Sequence, residues 1–188
     1  IGGAEMRRFI LIFGDLASGK STLADILSKK HGIPALKKDK IKEILADTVG
    51  FSTREENLKL SAATFEIMLH TAESLAAVEK DLILESNFRE AELRKINALA
   101  EKEGYDILSL YLTADPSLLY ERFNKRRTEG RHRAHLTAEF DSFEGFLRYL
   151  EGQRATYIPG KVIRIDASSF DYQKDERLFR EIYTFLNS

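Results

Sequence analysis

Residues 9–21 read FILIFGDLASGKS, an apolar run that ends in a glycine-rich turn. A continuous apolar run of this kind, closed by glycine, is typical of a strand buried on both faces of a parallel sheet. Residues 14–21 match the pattern G-x-x-x-x-G-K-[ST], and they lie where that pattern has meaning, between a strand and a helix. The stretch therefore predicts an α/β fold with a backbone loop that holds phosphate groups.

Each part of this loop has a chemical role. Glycines let successive backbone N–H groups turn inward as an anion-binding nest, and the helix N-terminus adds a partial positive charge. We expect the loop to bind ATP, with the Lys20 ammonium on the β/γ-phosphates and the Ser21 hydroxyl on Mg²⁺. The plain alternative is a glycine turn with a surface lysine and serine. The predicted nucleotide-binding residues of the loop are Gly14, Asp15, Leu16, Ala17, Ser18, Gly19, Lys20, Ser21 and Thr22.

Short apolar runs and amphipathic segments alternate along the rest of the chain. This alternation predicts a three-layer α/β fold of the P-loop NTPase kind, with a five-stranded parallel sheet and helices on both faces. We expect one domain over residues 1–188, with the last strand near a sheet edge. The predicted strands are 9–13, 33–36, 82–84, 107–112 and 161–165. The predicted helices are 20–31, 39–48, 89–103, 116–127, 137–154 and 175–186, with a long helical region, continuous or broken, up to about residue 80.

Composition narrows the function classes. The chain has 188 residues, 29 Lys and Arg against 30 Asp and Glu, and no Cys, which excludes disulfides, thiol catalysis and Cys-based zinc sites. This composition fits a reducing compartment, so we expect a cytoplasmic protein. A net charge of -1 disfavours a general polyanion binder. No signal peptide and no membrane span are expected, and residues 1–5, which precede Met6, are interpreted as a tag remnant.

The type of phosphate-loop protein can be narrowed from what the sequence lacks. A GTPase needs an Asn-Lys-x-Asp motif at a strand end, whereas Asn124-Lys125 is followed by two arginines inside a predicted helix. A motor or large assembly ATPase needs a longer chain. A small kinase fits the length.

The order of the motifs resembles the small P-loop kinases of the nucleoside-monophosphate-kinase-like superfamily, and more narrowly the zeta-toxin, polynucleotide-kinase and chloramphenicol-phosphotransferase group. Four features carry the resemblance: residues 14–21, Asp39, residues 82–88 and the Arg-rich segment 122–133. The resemblance implies an ATP- and Mg²⁺-dependent kinase that phosphorylates a hydroxyl of a small acceptor such as a sugar, a nucleoside or an antibiotic. No membrane or long nucleic acid partner is expected, and a monomer or homodimer is the ordinary range.

The resemblance also implies roles for polar residues at strand ends. Asp39 would contact the acceptor hydroxyl and take its proton, although Asp is also a common helix cap. Glu85 stands where the family more often has Asp, and would hold Mg²⁺ or the acceptor; the alternative is a solvated acid. Asn87 and Arg89 follow as acceptor-binding candidates, although Arg89 also fits the first turn of a helix. Arg54, an anion-binding candidate or simply a solvated side chain, lies in the region 45–75 that is expected to shape the acceptor pocket.

Six cations and one acid occupy residues 122–133. The resemblance implies a lid, at about residues 128–135, whose arginines close over the γ-phosphate, as suits a planar guanidinium. The alternative is a solvated basic helix end. The candidate roles are adenine stacking for Arg122 or Arg126, catalysis for Arg127 and Arg131, and substrate binding for Arg133.

Several aromatic and histidine side chains have plainer interpretations. His132 and His135 lack a third ligand with metal spacing, so no metal site is predicted there. The rings of Phe140, Phe143, Phe146 and Tyr111 are predicted to pack in the core or under the lid.

Two other functions remain open on the sequence. A polynucleotide 5′-hydroxyl kinase needs a basic groove beyond the lid, which the near-neutral charge disfavours. A toxin-like regulator would use the loop for nucleotide binding without transfer, and carboxylates of Asp39 and Glu85 that both face the loop would count against it.

Overall fold

A computed structural model describes residues 7–135 and 140–187 of the chain. The interpreted tag remnant at residues 1–5 and residues 137–139 of the helix predicted over 137–154 lie outside these ranges. Residues 140–142, also predicted helical, are not helical. The strands are β1 Arg7–Gly14, β2 Ala35–Lys37, β3 Leu82–Glu85, β4 Tyr105–Thr113 and β5 Lys161–Asp166. The helices are α1 Lys20–His31, α2 Lys38–Thr48, α3 Arg54–Ala76, α4 Glu90–Glu103, α5 Pro116–Thr128, α6 Phe143–Arg154 and α7 Glu176–Leu186, with short 3₁₀ helices at Arg133–His135 and Phe170–Lys174.

The described residues form a five-stranded, all-parallel sheet in the order β2-β3-β1-β4-β5. This confirms the predicted α/β fold. The apolar run of β1 lies at the centre of the sheet, and residues 9–12 are fully buried there. β5 lies at an edge, as its alternating pattern predicted.

Alternate residues of β1 supply two separate cores. Ile10 and Ile12 pack on one face with side chains of α1, α5, α6 and α7. Phe9, Leu11 and Phe13 pack on the other face with α3 and α4. Helices therefore cover both faces, because a strand buried on both sides presents apolar residues at every position.

Local signals set several helix ends. α1 ends at Gly32, which has the left-handed conformation that favours glycine (φ 67°). The predicted capping box of Thr53 and Glu56 is present at the start of α3. Asp115 caps α5 by accepting from the N–H groups of Ser117 and Leu118. The long helical region up to Ala76 is continuous, since α3 contains no Gly or Pro.

The register of the sheet brings the strand ends together. Ile12 is paired with Glu85, and Lys37 of β2 is paired with the same residue. Gly14 is paired with Leu112 of β4. The loop after β1, the start of α2 and the carboxylate at the end of β3 therefore meet at one edge of the sheet, which is where ligands bind in such folds. Within the described ranges, no helix is both long and apolar enough to cross a membrane.

Candidate active site

The loop after β1 has an inward-facing backbone. Gly14, Ala17 and Gly19 have positive φ angles of 126°, 58° and 88°. Among the described residues, the backbone N–H groups of residues 16, 17 and 19–21 have no hydrogen-bond acceptor. Several unpartnered N–H groups at a helix start are the donors that a chain of phosphates needs, so the loop fits a nucleoside triphosphate.

The side of the loop at Gly19 leaves no room for a side chain. A Cβ atom there would lie 2.6 Å from the Tyr172 hydroxyl and 2.9 Å from the Phe170 ring. Both rings belong to the 3₁₀ helix Phe170–Lys174 that follows β5. The second glycine of the motif is therefore needed for close packing as well as for its φ angle.

The Lys20 side chain is buried at the centre of the loop. Its Nζ donates to the carbonyl oxygen of Asp15, and a longer contact of 3.4 Å reaches the carbonyl of Gly14. Burial lowers the pKa of Lys20 to about 8, although the carboxylates of Glu85 and Asp39 oppose this shift. The ammonium therefore has little solvent around it and no direct carboxylate partner among the described residues, so a phosphate would be a favourable partner for it.

Two hard oxygen ligands lie beside the loop. The Ser21 hydroxyl donates to Glu85 Oε2 at 3.0 Å. Glu85 is buried, and this burial raises the pKa of its carboxyl. No cluster of three His, Cys, Asp or Glu ligands occurs in the described ranges. The pair fits Mg²⁺, which takes few protein ligands and completes its shell with phosphate and water oxygens.

One cavity at the carboxyl edge of the sheet, which we call the phosphate cavity, collects many of the predicted residues. It encloses about 540 Å³, including space open to solvent. Burial lowers the pKa of Arg126 in the cavity wall, and the charges of Arg131 and Arg122 act in the same direction, whereas Asp39 and Glu85 oppose the shift. An anion bound in the cavity would therefore stabilise the charged form of Arg126. The cavity is lined by residues 16–22, Asp39, Glu85, Asn87, Phe123, Arg126 and Arg131.

Other predicted arginines lie outside the phosphate cavity. Arg122 donates to the carbonyls of residues 167 and 168, both at 2.7 Å, and its guanidinium lies 4.3 Å from the Phe170 ring centre. Arg127 lies beside the Phe123 ring. Arg133 lies over Phe51 at 4.6 Å, facing a surface groove at residues 49–60, and Arg54 is an exposed first residue of α3. The structure does not bring the side chains of Arg54, Arg127 or Arg133 to the loop.

The Asp15 side chain faces away from the phosphates. Its carboxylate is fully buried and accepts from Arg154 Nε at 3.1 Å, from Arg154 Nη2 and from the backbone N–H of Ala114 at 3.1 Å. Arg154, at the end of α6, also donates to the Ala114 carbonyl at 2.7 Å. Asp15 thus stabilises the loop rather than contacting nucleotide with its side chain. The sequence did not predict Arg154, since 139 residues separate the two partners and no local pattern links them.

Residues 131–135, part of the segment predicted as a lid and called the lid below, dock on α2. His132 Nε2 lies 3.1 Å from Asp47 Oδ1, and His135 Nε2 lies 3.0 Å from Glu43 Oε1. The carbonyl of Ala134 accepts from Lys42 Nζ at 2.8 Å. The two histidines, which the sequence left without a role, therefore attach the lid to the helix that carries Asp39.

Asp39 lies in the first turn of α2, whose N-cap is Lys37, so its carboxylate is not the helix cap. His135 Nδ1 is 3.8 Å from Asp39 Oδ1. Burial lowers the pKa of His135, while Asp39 and Glu43 oppose the shift. The geometry leaves the Asp39 carboxylate at the boundary between the phosphate cavity and the lid.

A parallel sheet whose central strand runs into a glycine-rich loop with a buried lysine defines the P-loop class of nucleotide-binding proteins. A family model described as an AAA domain matches residues 9–151, and the chain belongs to that family. No curated protein matches the sequence.

Solved structures share the fold across nearly the whole chain. A candidate kinase from Chloroflexus aurantiacus is 22% identical with a TM-score of 0.78, covering 99% of this chain and 100% of its own. Shikimate kinase from Bacteroides thetaiotaomicron is 19% identical with a TM-score of 0.62, covering 96% and 98%. A gluconokinase from Sinorhizobium meliloti is 15% identical with a TM-score of 0.52, covering 96% and 97%. The fold is therefore that of small P-loop kinases.

Proposed function

We propose that the protein is an ATP-dependent kinase that transfers the γ-phosphate to a hydroxyl of a small-molecule acceptor. One observation carries the proposal: a single cavity is lined by the phosphate loop with Lys20, by the Ser21–Glu85 pair, by the Asp39 carboxylate and by two arginines. Nucleotide binding alone does not require the last two features. The names of the neighbours with this fold, shikimate kinase and gluconokinase, agree with the proposal.

Phosphoryl transfer needs orientation and charge stabilisation more than covalent chemistry. The acceptor hydroxyl gives its proton to Asp39 while its oxygen bonds the γ-phosphorus, and the bond from that phosphorus to the ADP oxygen breaks. Lys20, Arg126 and Arg131 stabilise the charge that spreads over the phosphoryl oxygens. Ser21 and Glu85 would hold Mg²⁺, which supplies further positive charge between the phosphates.

Arg122 is the better candidate for adenine contact than Arg126. Its guanidinium lies outside the phosphate cavity, on the Phe170 ring that packs beside Gly19. A planar guanidinium and an aromatic ring both offer faces to a purine. Arg126 lines the phosphate cavity instead, where its charge serves the phosphates.

Asp39 and Glu85 both line the phosphate cavity, which counts against a regulator that only binds nucleotide. We further propose that the protein belongs with the zeta-toxin, polynucleotide-kinase and chloramphenicol-phosphotransferase group. The placement of Asp39 after β2 and of Glu85 at the end of β3 supports this assignment.

The proposal is tested by incubating the protein with γ-labelled ATP and Mg²⁺ across nucleosides, neutral sugars, sugar acids, aminoglycosides and 5′-hydroxyl oligonucleotides. We expect labelled product with at least one small acceptor, and none with Lys20→Ala. Lys29→Ala, an exposed lysine on the same helix, is the matched control and should behave as wild type. Tight ATP binding with no labelled acceptor would favour the binding-only regulator, and labelled oligonucleotide would favour the polynucleotide kinase.

The ionisation of Lys20 gives the binding step a pH dependence. Phosphates favour the charged amine, whose pKa before binding is about 8, so ATP binding near pH 8 should take up about half a proton. Above this pH more of the free protein carries a neutral Lys20, and ATP affinity should fall as pH rises. Calorimetry in buffers of different ionisation enthalpy measures the uptake. Lys20→Arg should bind ATP without that uptake, and uptake equal to wild type in this variant would contradict the assignment.

A further inference from the structure

A second cavity adjoins the phosphate cavity and shares Asp39 and Asn87 with it. It encloses about 700 Å³, including space open to solvent, between α2, α3, the loop after β3 and α6. A molecule in this second cavity can therefore present a hydroxyl to Asp39, at the boundary with the phosphates. The rest of the lining then decides which molecules fit.

The lining of the second cavity carries more positive than negative charge. Lys38, Lys42 and Arg89 contribute cations, and Asp39 is the carboxylate among the lining residues. Lys38 is paired with Glu92, and both side chains are largely buried, at 12% and 13% exposed. With Lys38 paired, Lys42 and Arg89 remain as cations, and Asp39, which is proposed to take the hydroxyl proton, is the carboxylate that remains in the lining.

Lys42 is buried, and its Nζ donates one hydrogen bond to the Ala134 carbonyl. Two ammonium protons therefore remain to donate to a bound anion. Burial lowers the pKa of Lys42, the Asp39 carboxylate opposes this shift, and the charges of Lys38, Arg131 and Arg89 lower the pKa further. These cations are therefore close enough to repel one another. A partly buried group of like charges is costly without a counter-ion, so an anion in the cavity would be stabilised.

Arg89 is the cation best placed to bind that anion. Arg89 is an exposed side chain at the residue just before α4, and its guanidinium has no carboxylate partner among the described residues. Arg94 of α4 is paired with Glu90. Arg89 and Tyr149 of α6 line the same cavity. Burial raises the pKa of the Tyr149 hydroxyl, and the charge of Arg89 opposes this shift. A guanidinium of this kind binds a carboxylate or phosphate through two parallel hydrogen bonds.

The remaining wall is polar and uncharged. Ser61, Ser86 and Gln153 line the cavity, and Tyr149 supplies its aromatic ring. Hydroxyl and amide groups suit the hydroxyls of a polyol. Tyr149 is the one aromatic residue among the described lining residues, and none of them is an aliphatic hydrophobic residue.

We propose that the acceptor is a small polyhydroxylated acid, with its reacting hydroxyl at Asp39 and its anionic group, carboxylate or phosphate, on Arg89 and Lys42. This inference rests on the proposed kinase function and deepens it. It disfavours aminoglycosides, because their ammonium groups would face like charges. It also disfavours uncharged nucleosides, which leave the cations without a partner.

The test compares acceptors that differ mainly in one anionic group: glucose with gluconate and with glucose 6-phosphate, and glycerol with glycerate. We expect kcat/KM to be about 10- to 100-fold higher for the acids, as for a charge-assisted hydrogen-bond pair. The sugar acid and sugar phosphate arms distinguish a carboxylate from a phosphate. Arg89→Gln should reduce the ratio of kcat/KM for the acid to kcat/KM for its neutral counterpart to about threefold or less, mainly through a higher KM for the acid. Arg94→Gln should leave this ratio unchanged. Melting curves check that both variants fold.

Failure of this inference differs from failure of the kinase function. Lys20-dependent transfer to neutral sugars or aminoglycosides at rates equal to or above those of the acids would overturn the inference and leave the kinase function intact. An Arg89→Gln enzyme that keeps the full preference would also overturn it. If no acceptor is labelled, calorimetry with a non-hydrolysable ATP analogue decides: acids that bind wild type and not Arg89→Gln support an anion site, and the absence of such binding overturns it.

Discussion

Asp39→Asn is expected to bind ATP with near wild-type affinity and to lose acceptor phosphorylation by about 10²- to 10⁴-fold in kcat. The amide keeps the size and hydrogen-bonding shape of the carboxylate at the boundary of the two cavities, but it cannot take the hydroxyl proton. The loss should therefore appear in kcat more than in KM. Single-turnover transfer of labelled phosphate, with ATP affinity measured separately, checks this split.

The control for this variant is Asp106→Asn, an exposed acid on β4 remote from the loop. It should leave both kcat and ATP affinity unchanged. Because His135 lies 3.8 Å from Asp39, melting curves of the variant are needed to show that the lid side of the protein still folds. A folded Asp39→Asn enzyme with wild-type kcat would remove Asp39 from the proton-transfer role.

Arg154→Met should lower the free energy of unfolding by about 3–5 kcal/mol. The substitution leaves the fully buried Asp15 carboxylate without its guanidinium partner. Among the described residues, the Ala114 N–H is then its one remaining hydrogen-bond donor. The effect should exceed that of most single substitutions, because uncompensated buried charge is among the costliest changes a core can suffer. Urea unfolding at neutral pH measures it.

The double variant Asp15→Asn with Arg154→Met separates two effects of losing Arg154: the lost packing of its side chain and the cost of an unpaired, buried Asp15 carboxylate. It removes the charge together with its partner, so it should be more stable than Arg154→Met alone by at least about 1 kcal/mol. Arg148→Met, an exposed arginine on the same helix, should change stability by less than about 0.5 kcal/mol. A single variant as stable as wild type, or a double variant less stable than the single, would show that the buried pair does not hold the loop.

Much of the fold was predictable because its signals are local. The apolar run of β1, Gly32 after α1 and the Thr53–Glu56 capping box each act within a few residues, and the structure confirms them. The meeting of Ser21 and Glu85 followed from a topological rule, since carboxyl ends of parallel strands share an edge. The lining of the phosphate cavity by Asp39 followed for the same reason.

The second cavity and the lid contacts were not predictable in this way. The second cavity is lined by residues of α2, α3, α6 and the loop after β3. Its net charge depends on which lysine forms an ion pair with Glu92, and that lysine is Lys38. The basic segment was singled out for its charge, but only tertiary packing decides that Arg126 and Arg131 line the phosphate cavity while Arg133 lies on Phe51. Composition and spacing carry no information about such choices.

The attachment of the lid to α2 has a consequence for redesigning acceptor specificity. Asp39, Lys42, Glu43 and Asp47 all lie on α2. One helix therefore carries both the carboxylate proposed to take the hydroxyl proton and the residues that contact the lid. Libraries that randomise α2 would alter turnover and selectivity together. Ser86, Asn87 and Arg89, which follow β3, and Tyr149 and Gln153 of α6 line the second cavity away from α2. Mutagenesis aimed at new acceptors should begin there, where selectivity can be varied while the machinery on α2 is kept.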